Sequence, residues 1–353
     1  MSADSAGWRS YAERPVGFER LVGHERPVRV LRRAIASGRI PGAYLFSGPD
    51  GVGKRSTAVA FVAALNCPEG DGEACGTCTS CRMITESIHP DLFIPDRSGT
   101  RIPKNPPAAG GKDRSGSGYI SEIIPKLTYA PMMGRWKVVL IDDAHQLTAT
   151  AANYLLKTME EPPSRTLFVL VTAAEHLLLP TVVSRCQRIR FSPLSDEQLI
   201  RILIGLGVDG AVAGRAAVLC AGSVAGAQDL IRQGRVDGLA GWMDLVRGLG
   251  RMSPADRLRN VTSLLGSTGG KGGDRAGVEQ FIAATRAWLE ARLRDLAART
   301  GADRAEQEKL LSIFETLRDI AASARGNANP KLLADHLAGR LAAISGGPQT
   351  GAG

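Results

Sequence analysis

No run of eighteen apolar residues occurs in this 353-residue chain, so nothing in it reads as a membrane span. Aromatic residues are scarce at 5%, which argues against a surface built to stack single-stranded bases. Met1 to Pro15 is polar and charged and holds no apolar core of the kind a secretory signal needs. A cytoplasmic protein is therefore expected, and its six cysteines read as metal ligands or free thiols before they read as disulfides. No carboxylate set for nucleotidyl transfer is visible, so polymerase chemistry is not expected either. The chain does have 44% apolar residues, enough for two or three domains with real cores. Its net charge of +9 favours a polyanionic partner such as nucleic acid and says nothing about fold.

Three short apolar runs read as strands: Ala43 to Ser47, Lys137 to Ile141 and Thr166 to Thr172. Between them, Ser56 to Asn66 and Ala149 to Glu161 read as helices, the second stopped by Pro162 and Pro163. Strands alternating with helices predict a parallel sheet with crossover helices. Residues 95–118 break the pattern and read as a flexible, solvated insertion with basic residues such as Arg97 and Lys104. After Pro193 everything looks helical, beginning with Ser195 as a cap. Val278, Phe281, Ile282, Thr285, Leu289, Leu293 and Leu296 form one stripe at helical spacing, and such a stripe is expected to need partner subunits to bury it. The expected domains are 1–192 (α/β, with a cysteine module at 67–81), 193–236 (a small helical lid) and 237–345 (all-α).

Gly48-Pro49-Asp50-Gly51-Val52-Gly53-Lys54 follows a strand and opens a helix, the context a phosphate loop requires. Gly48, Gly51 and Gly53 let backbone N–H groups approach phosphate oxygens, and Lys54 would reach the β- and γ-phosphates of ATP. The next residue should carry a hydroxyl to ligate Mg²⁺, but it is Arg55. Ser56 comes one residue late, about 100° around the helix. Arg55 would either repel Mg²⁺ or swing to solvent. At the end of the Lys137–Ile141 strand stands Asp142, placed to hold Mg²⁺ through water. Asp143 follows where a catalytic base is expected; a Glu is usual there, and a displacement of about 1 Å can cost about 10²-fold in rate. The alternative for Asp143 and His145 is a cap on the next helix, the reading preferred for His145.

Cys67, Cys75, Cys78 and Cys81 have the spacing C-x7-C-x2-C-x2-C. Four thiolates this close suit tetrahedral Zn²⁺, with an iron–sulfur cluster as the lesser reading. Four protein ligands leave no open position, so the expected role is structural. Cys186 and Cys220 read as ordinary buried thiols.

Several longer segments together resemble the AAA+ clamp-loader ATPases of DNA replication. They are Phe18–His24, Ala151–Pro163, Leu179–Gln187 with Ser184-Arg185-Cys186 inside it, and Asn327–Leu332. Within that family the likeness runs to the delta-prime type of bacterial subunit. The resemblance implies an AAA+ P-loop domain, a helical lid and an all-α collar. It also implies a place in a hetero-pentameric ring with gamma/tau- and delta-type subunits, which loads a sliding clamp on primed DNA. Arg185 would be an arginine finger acting in the neighbouring subunit's ATP site. Thr172 occupies a sensor position, while Ala225 stands where a second-sensor Arg is expected after Gly222-Ser223-Val224. Arg55, Asp143 and Ala225 thus weaken one site in three ways, and ATP with Mg²⁺ is a doubtful occupant. The alternatives are a gamma/tau-type motor subunit and, from another class, a free-standing zinc-dependent DNA-binding protein.

Overall fold

The computed structural model describes residues 17–95, 120–267, 273–298, 304–325 and 329–345. The insertion expected at 95–118 lies, Pro95 apart, outside these residues, as does Asn327 of the last quoted segment. No helix of the described residues is long and apolar enough to cross a membrane. The chain divides into two compact units. One holds the residues up to Val208 together with Ser223–Ala225, and the other holds Asp209–Gly222 and the chain from Gly226 on.

The first unit begins with α1 (Glu25–Ser37), β1 (Ala43–Ser47), α2 (Lys54–Asn66) and α3 (Thr79–Thr85). It continues through β2 (Leu92–Phe93), α4 (Ile120–Lys126), β3 (Lys137–Ile141) and α5 (Ala149–Glu160). It ends with β4 (Thr166–Thr172), α6 (Pro180–Val183), β5 (Gln187–Arg190) and α7 (Asp196–Gly205). The strands form one sheet in the order β2-β3-β4-β1-β5, every pair parallel. The three runs read from the sequence are its centre, and every residue in them is buried. They are continuously apolar because both faces are covered. Phe46, Leu140 and Val169 pack on one side with Phe61 of α2, and Leu45, Ile141 and Leu170 pack on the other with Leu155 of α5. Each such side chain contributes roughly 1.5–3 kcal/mol by burial. The edge strands are weaker signals: β2 has two residues, and in β5 only Ile189 is buried. All five strands run the same way, so their C-terminal ends converge on one rim, where open parallel sheets bind ligands. α7 is started by the expected Ser195, in a reciprocal cap with Gln198.

A buried polar chain braces the sheet edge. The Asp91 carboxylate accepts the N–H groups of Met132, Met133 and Gly134, at 2.7–2.8 Å. The Asp91 N–H donates to His89 Nδ1, which leaves the proton on Nε2, facing Ser80 Oγ at 3.1 Å; the Ser80 hydroxyl donates to the Asn66 carbonyl. Burial pushes the pKa of His89 down, and burial does the same to His24. Both histidines therefore bind protons more readily unfolded than folded. The stability this contributes is present above about pH 6.5, and it is lost as pH falls through the lower folded values. Denaturant melts of the protein from pH 7.5 down to 5.5 should show stability falling with acid, and His89→Gln should flatten that slope.

The second unit is helical: α8 (Gly210–Leu219), most of α9 (Val224–Arg232), α10 (Val236–Gly248), α11 (Pro254–Ser267), α12 (Gly273–Ala298), α13 (Arg304–Arg325) and α14 (Pro330–Ser345). α12 packs against α10, α11, α13 and α14, with Trp242 stacked on Phe281 at 4.8 Å between ring centres. Val278, Phe281, Thr285, Leu289 and Leu296 are all buried by this packing. The expectation that the stripe needs partner subunits is thus corrected: neighbouring helices of the same unit cover it.

Candidate functional site

β1 ends at Ser47, and the phosphate loop turns over the rim of the sheet into α2. Gly48 lies so close to the strand end that a Cβ there would sit 2.3 Å from the Phe191 carbonyl oxygen. Gly51 has φ +72°, and its Cβ would meet Ser223 Oγ at 2.2 Å and Ala225 Cβ at 2.9 Å. Both positions exclude any side chain. Gly53 precedes α2 and gives it no side-chain cap, so the helix's first N–H groups have no side-chain acceptor from that residue, the state in which a helix start can take an anion. Lys54 is 5% exposed and folds back to donate to the carbonyls of Gly48 and Pro49, at 2.8 and 2.6 Å. Burial lowers its pKa, opposed by the charges of Asp50, Asp142 and Asp143. The three carboxylates therefore act on this ammonium.

Arg55 does not swing to solvent: its Nη1 donates to Asp142 Oδ2 at 2.8 Å, joining residues 87 apart in sequence. The start of α2 and the end of β3 are thus joined by an ion pair between Arg55 and Asp142. The Asp50 carboxylate also takes the Gly51 N–H, at 3.0 Å, one of the donors a phosphate would use. Ala225 lies against the loop at Gly51. The Val224 N–H bonds the Gly51 carbonyl at 2.8 Å, so this segment lies on the loop, and it brings a methyl group and no cation.

Thr172 sits beside Ser47 across the β1–β4 register, buried at the rim. Its hydroxyl bonds His145 Nδ1 at 3.2 Å and accepts the Ala174 N–H at 3.0 Å. The capping role preferred for His145 is therefore corrected, because its ring is spent on Thr172. Asp143 stands in left-handed backbone at φ 49° and its side chain makes no cap bond. Sequence reasoning also missed His24, whose Nε2 lies 2.7 Å from the Val52 carbonyl and braces the loop from behind. No local signal pairs a histidine with a carbonyl 28 residues away. Beside it, a cleft of ≈ 790 Å³ opens between the start of α1 and β5, lined by Arg26, Arg188 and Arg190 among others.

Arg185 lies just past α6, remote in sequence from the loop. Its Nη2 donates to Glu160 at the end of α5, and its Nη1 to the Thr181 carbonyl at 3.0 Å. Cys186 beneath it packs against the core, and burial pushes its thiol pKa up to about 12. Cys220 is shifted to about 12 for the same reason, so neither thiol is a nucleophile at neutral pH.

The four clustered cysteines do converge. Their sulfur atoms all lie within 4.8 Å of one another, with Cys67–Cys78 and Cys75–Cys81 at 4.0 Å. Metal–sulfur bonds of about 2.3 Å in a tetrahedron put sulfurs roughly 3.8 Å apart, so the set fits one ion. The N–H groups of Cys75, Cys78 and Cys81 each point at a cluster sulfur, at 3.3–3.4 Å, which favours thiolate. Cys67 ends α2 and Cys78 caps α3, so an ion here ties the phosphate-loop helix to its neighbour. An Arg32–Glu73 ion pair fastens the module to α1.

Residues 23–195 match the family model described as DNA polymerase III, delta subunit. Over 188 residues, 53% of this chain, the sequence is 35% identical to DNA polymerase III subunit tau of Bacillus subtilis, covering 31% of that protein. It is 37% identical over 188 residues, again 53% of this chain, to the subunit of the same name from Escherichia coli, covering 27% of it. The matched segment thus spans less than a third of the length of these two curated relatives. A solved gamma-subunit-related protein from Thermotoga maritima is 19% identical with a TM-score of 0.38, covering 90% of this chain and 99% of that one.

Proposed function

We propose that the nucleotide-loop domain belongs to the clamp-loader family of DNA polymerase III and that this chain is a delta-prime-type, non-motor subunit. It lends Arg185 to a neighbouring motor site and leaves its own phosphate loop idle. The observation that carries this reading is the Arg55–Asp142 ion pair. An exposed pair of this kind is worth only about 0–1 kcal/mol, so it does not lock the site. It matters because α2 offers a cation where Mg²⁺ needs a hydroxyl, and because Asp142 already has a partner. Asp143 and Ala225 then remove the water-orienting base and the second sensor. Arg185, with a guanidinium held at the surface beyond a packed cysteine, is suited to stabilise charge on a phosphoryl group supplied by another subunit.

In this reading the partners are gamma/tau- and delta-type subunits in a hetero-pentameric ring, acting on a sliding clamp and primed DNA. The cysteine cluster holds structural Zn²⁺, because four convergent sulfurs with N–H donors suit a closed tetrahedral site. The relatives named tau favour a second reading, an ATP-hydrolysing motor. Arg55 and Ala225 weigh against it.

The full chain alone should hydrolyse ATP negligibly; sustained turnover of about 1 s⁻¹, in the ordinary enzyme range, overturns the non-motor reading. Arg55→Thr should free Asp142 and make nucleotide binding Mg²⁺-dependent, scored by fluorescent-nucleotide titration with and without EDTA. It should still not restore turnover, since Asp143 and Ala225 remain. Reconstitution with gamma/tau- and delta-type subunits should load a clamp only when this chain is present.

A further inference from the structure

Resting on the reading of Arg185 as a finger, we propose that Glu160 is a positioning residue that keeps the guanidinium on this chain until a neighbouring triphosphate competes for it. Glu160 is the last residue of α5, and its carboxylate accepts one N–H of Arg185 Nη2. The Thr181 carbonyl accepts a second N–H from Nη1 at 3.0 Å and also the Ser184 hydroxyl at 3.1 Å. Below this, Val183 and Cys186 pack on the core, so the backbone that carries the finger is anchored and the guanidinium end is the part free to exchange. The side chains are 34% and 51% exposed, which makes the pair weak and quickly released.

Charge decides the direction of the effect. A guanidinium touching one carboxylate has its field largely cancelled. A triphosphate carries several negative charges and wins the exchange, yet a carboxylate left beside a transferring phosphoryl group would oppose the charge that Arg185 must stabilise. Glu160 must therefore let go when the neighbouring site is filled. Before assembly it occupies the guanidinium, shielding it from stray anions such as free nucleotide or DNA phosphate.

The test is Glu160→Gln, which keeps the shape and removes the charge. In the isolated full chain, labelling of Arg185 by an arginine-selective dicarbonyl, read by mass spectrometry, should speed up. In the reconstituted ring, kcat/KM for ATP at the neighbouring site should rise about two- to five-fold, the range an exposed ion pair spans. The same substitution in an Arg185→Ala background should change nothing. Unchanged labelling, a fall in kcat/KM, or an equal effect without Arg185 overturns the proposal. If Arg185→Ala itself leaves turnover intact, the finger reading falls and this one with it. If Arg185→Ala abolishes turnover but Glu160→Gln gives no gain, only the keeper role is refuted.

Discussion

Replacing Arg185 with alanine should slow hydrolysis at the adjacent motor site by about 10³-fold or more while the ring still assembles. That is the range attributed to an arginine finger supplied in trans. The site must be isolated to see it, because other motor subunits would mask the loss. A ring whose remaining phosphate loops are disabled at their lysines reports the single interface, and gel filtration reports assembly. Arg185→Lys should recover little, since an ammonium lacks the planar fork that spans two phosphate oxygens. The folded chain itself should be indifferent. The alanine removes an exposed ion pair with Glu160 and one hydrogen bond to a carbonyl, and exposed pairs are worth about 0–1 kcal/mol. Loss of assembly in place of loss of turnover would make Arg185 an interface residue and remove the functional reading.

The second large effect concerns the cysteine cluster. Zinc analysis of the purified chain should find one equivalent, and Cys81→Ser should abolish it. Metal binding in small sites is worth about 10–16 kcal/mol of folding energy, so losing even about 5 kcal/mol should lower the melting temperature by roughly 10–20 °C. The first unit should suffer most, because the cluster joins the end of α2 to the start of α3. α2 begins at the phosphate loop, so loosening its far end should also increase mobility there. Anaerobic purification yielding a brown protein with visible absorbance would point to an iron–sulfur cluster instead. A colourless, metal-free chain with an unchanged melt would remove the structural-ion reading.

Much of this is legible in sequence because it is local. The central strands announce themselves as unbroken apolar runs, since a strand covered on both faces has no polar side to alternate with. The phosphate loop is readable because positive φ and close approach admit only glycine at Gly48 and Gly51. The cysteine cluster is readable because its ligands span fifteen residues, from Cys67 to Cys81. The edge strands escape such a reading for the opposite reason. Gln187–Arg190 alternates around one buried isoleucine, and Leu92–Phe93 is too short to carry a period.

Sequence alone determined the kinds of elements, the glycine-rich loop between β1 and α2 and the clustering of four cysteines. Tertiary structure alone decided what those residues do. Arg55 finds Asp142 across 87 residues, His145 is spent on Thr172 across 27, and Arg185 rests on Glu160 across 25. The helix stripe of α12 turned inward onto its own unit by the same kind of choice. Propensity, turn chemistry and motif spacing act over a few residues, so they can be read along a chain. Pairing of charges and faces depends on which strand ends and helix termini the crossovers bring to one rim, and no local pattern encodes that.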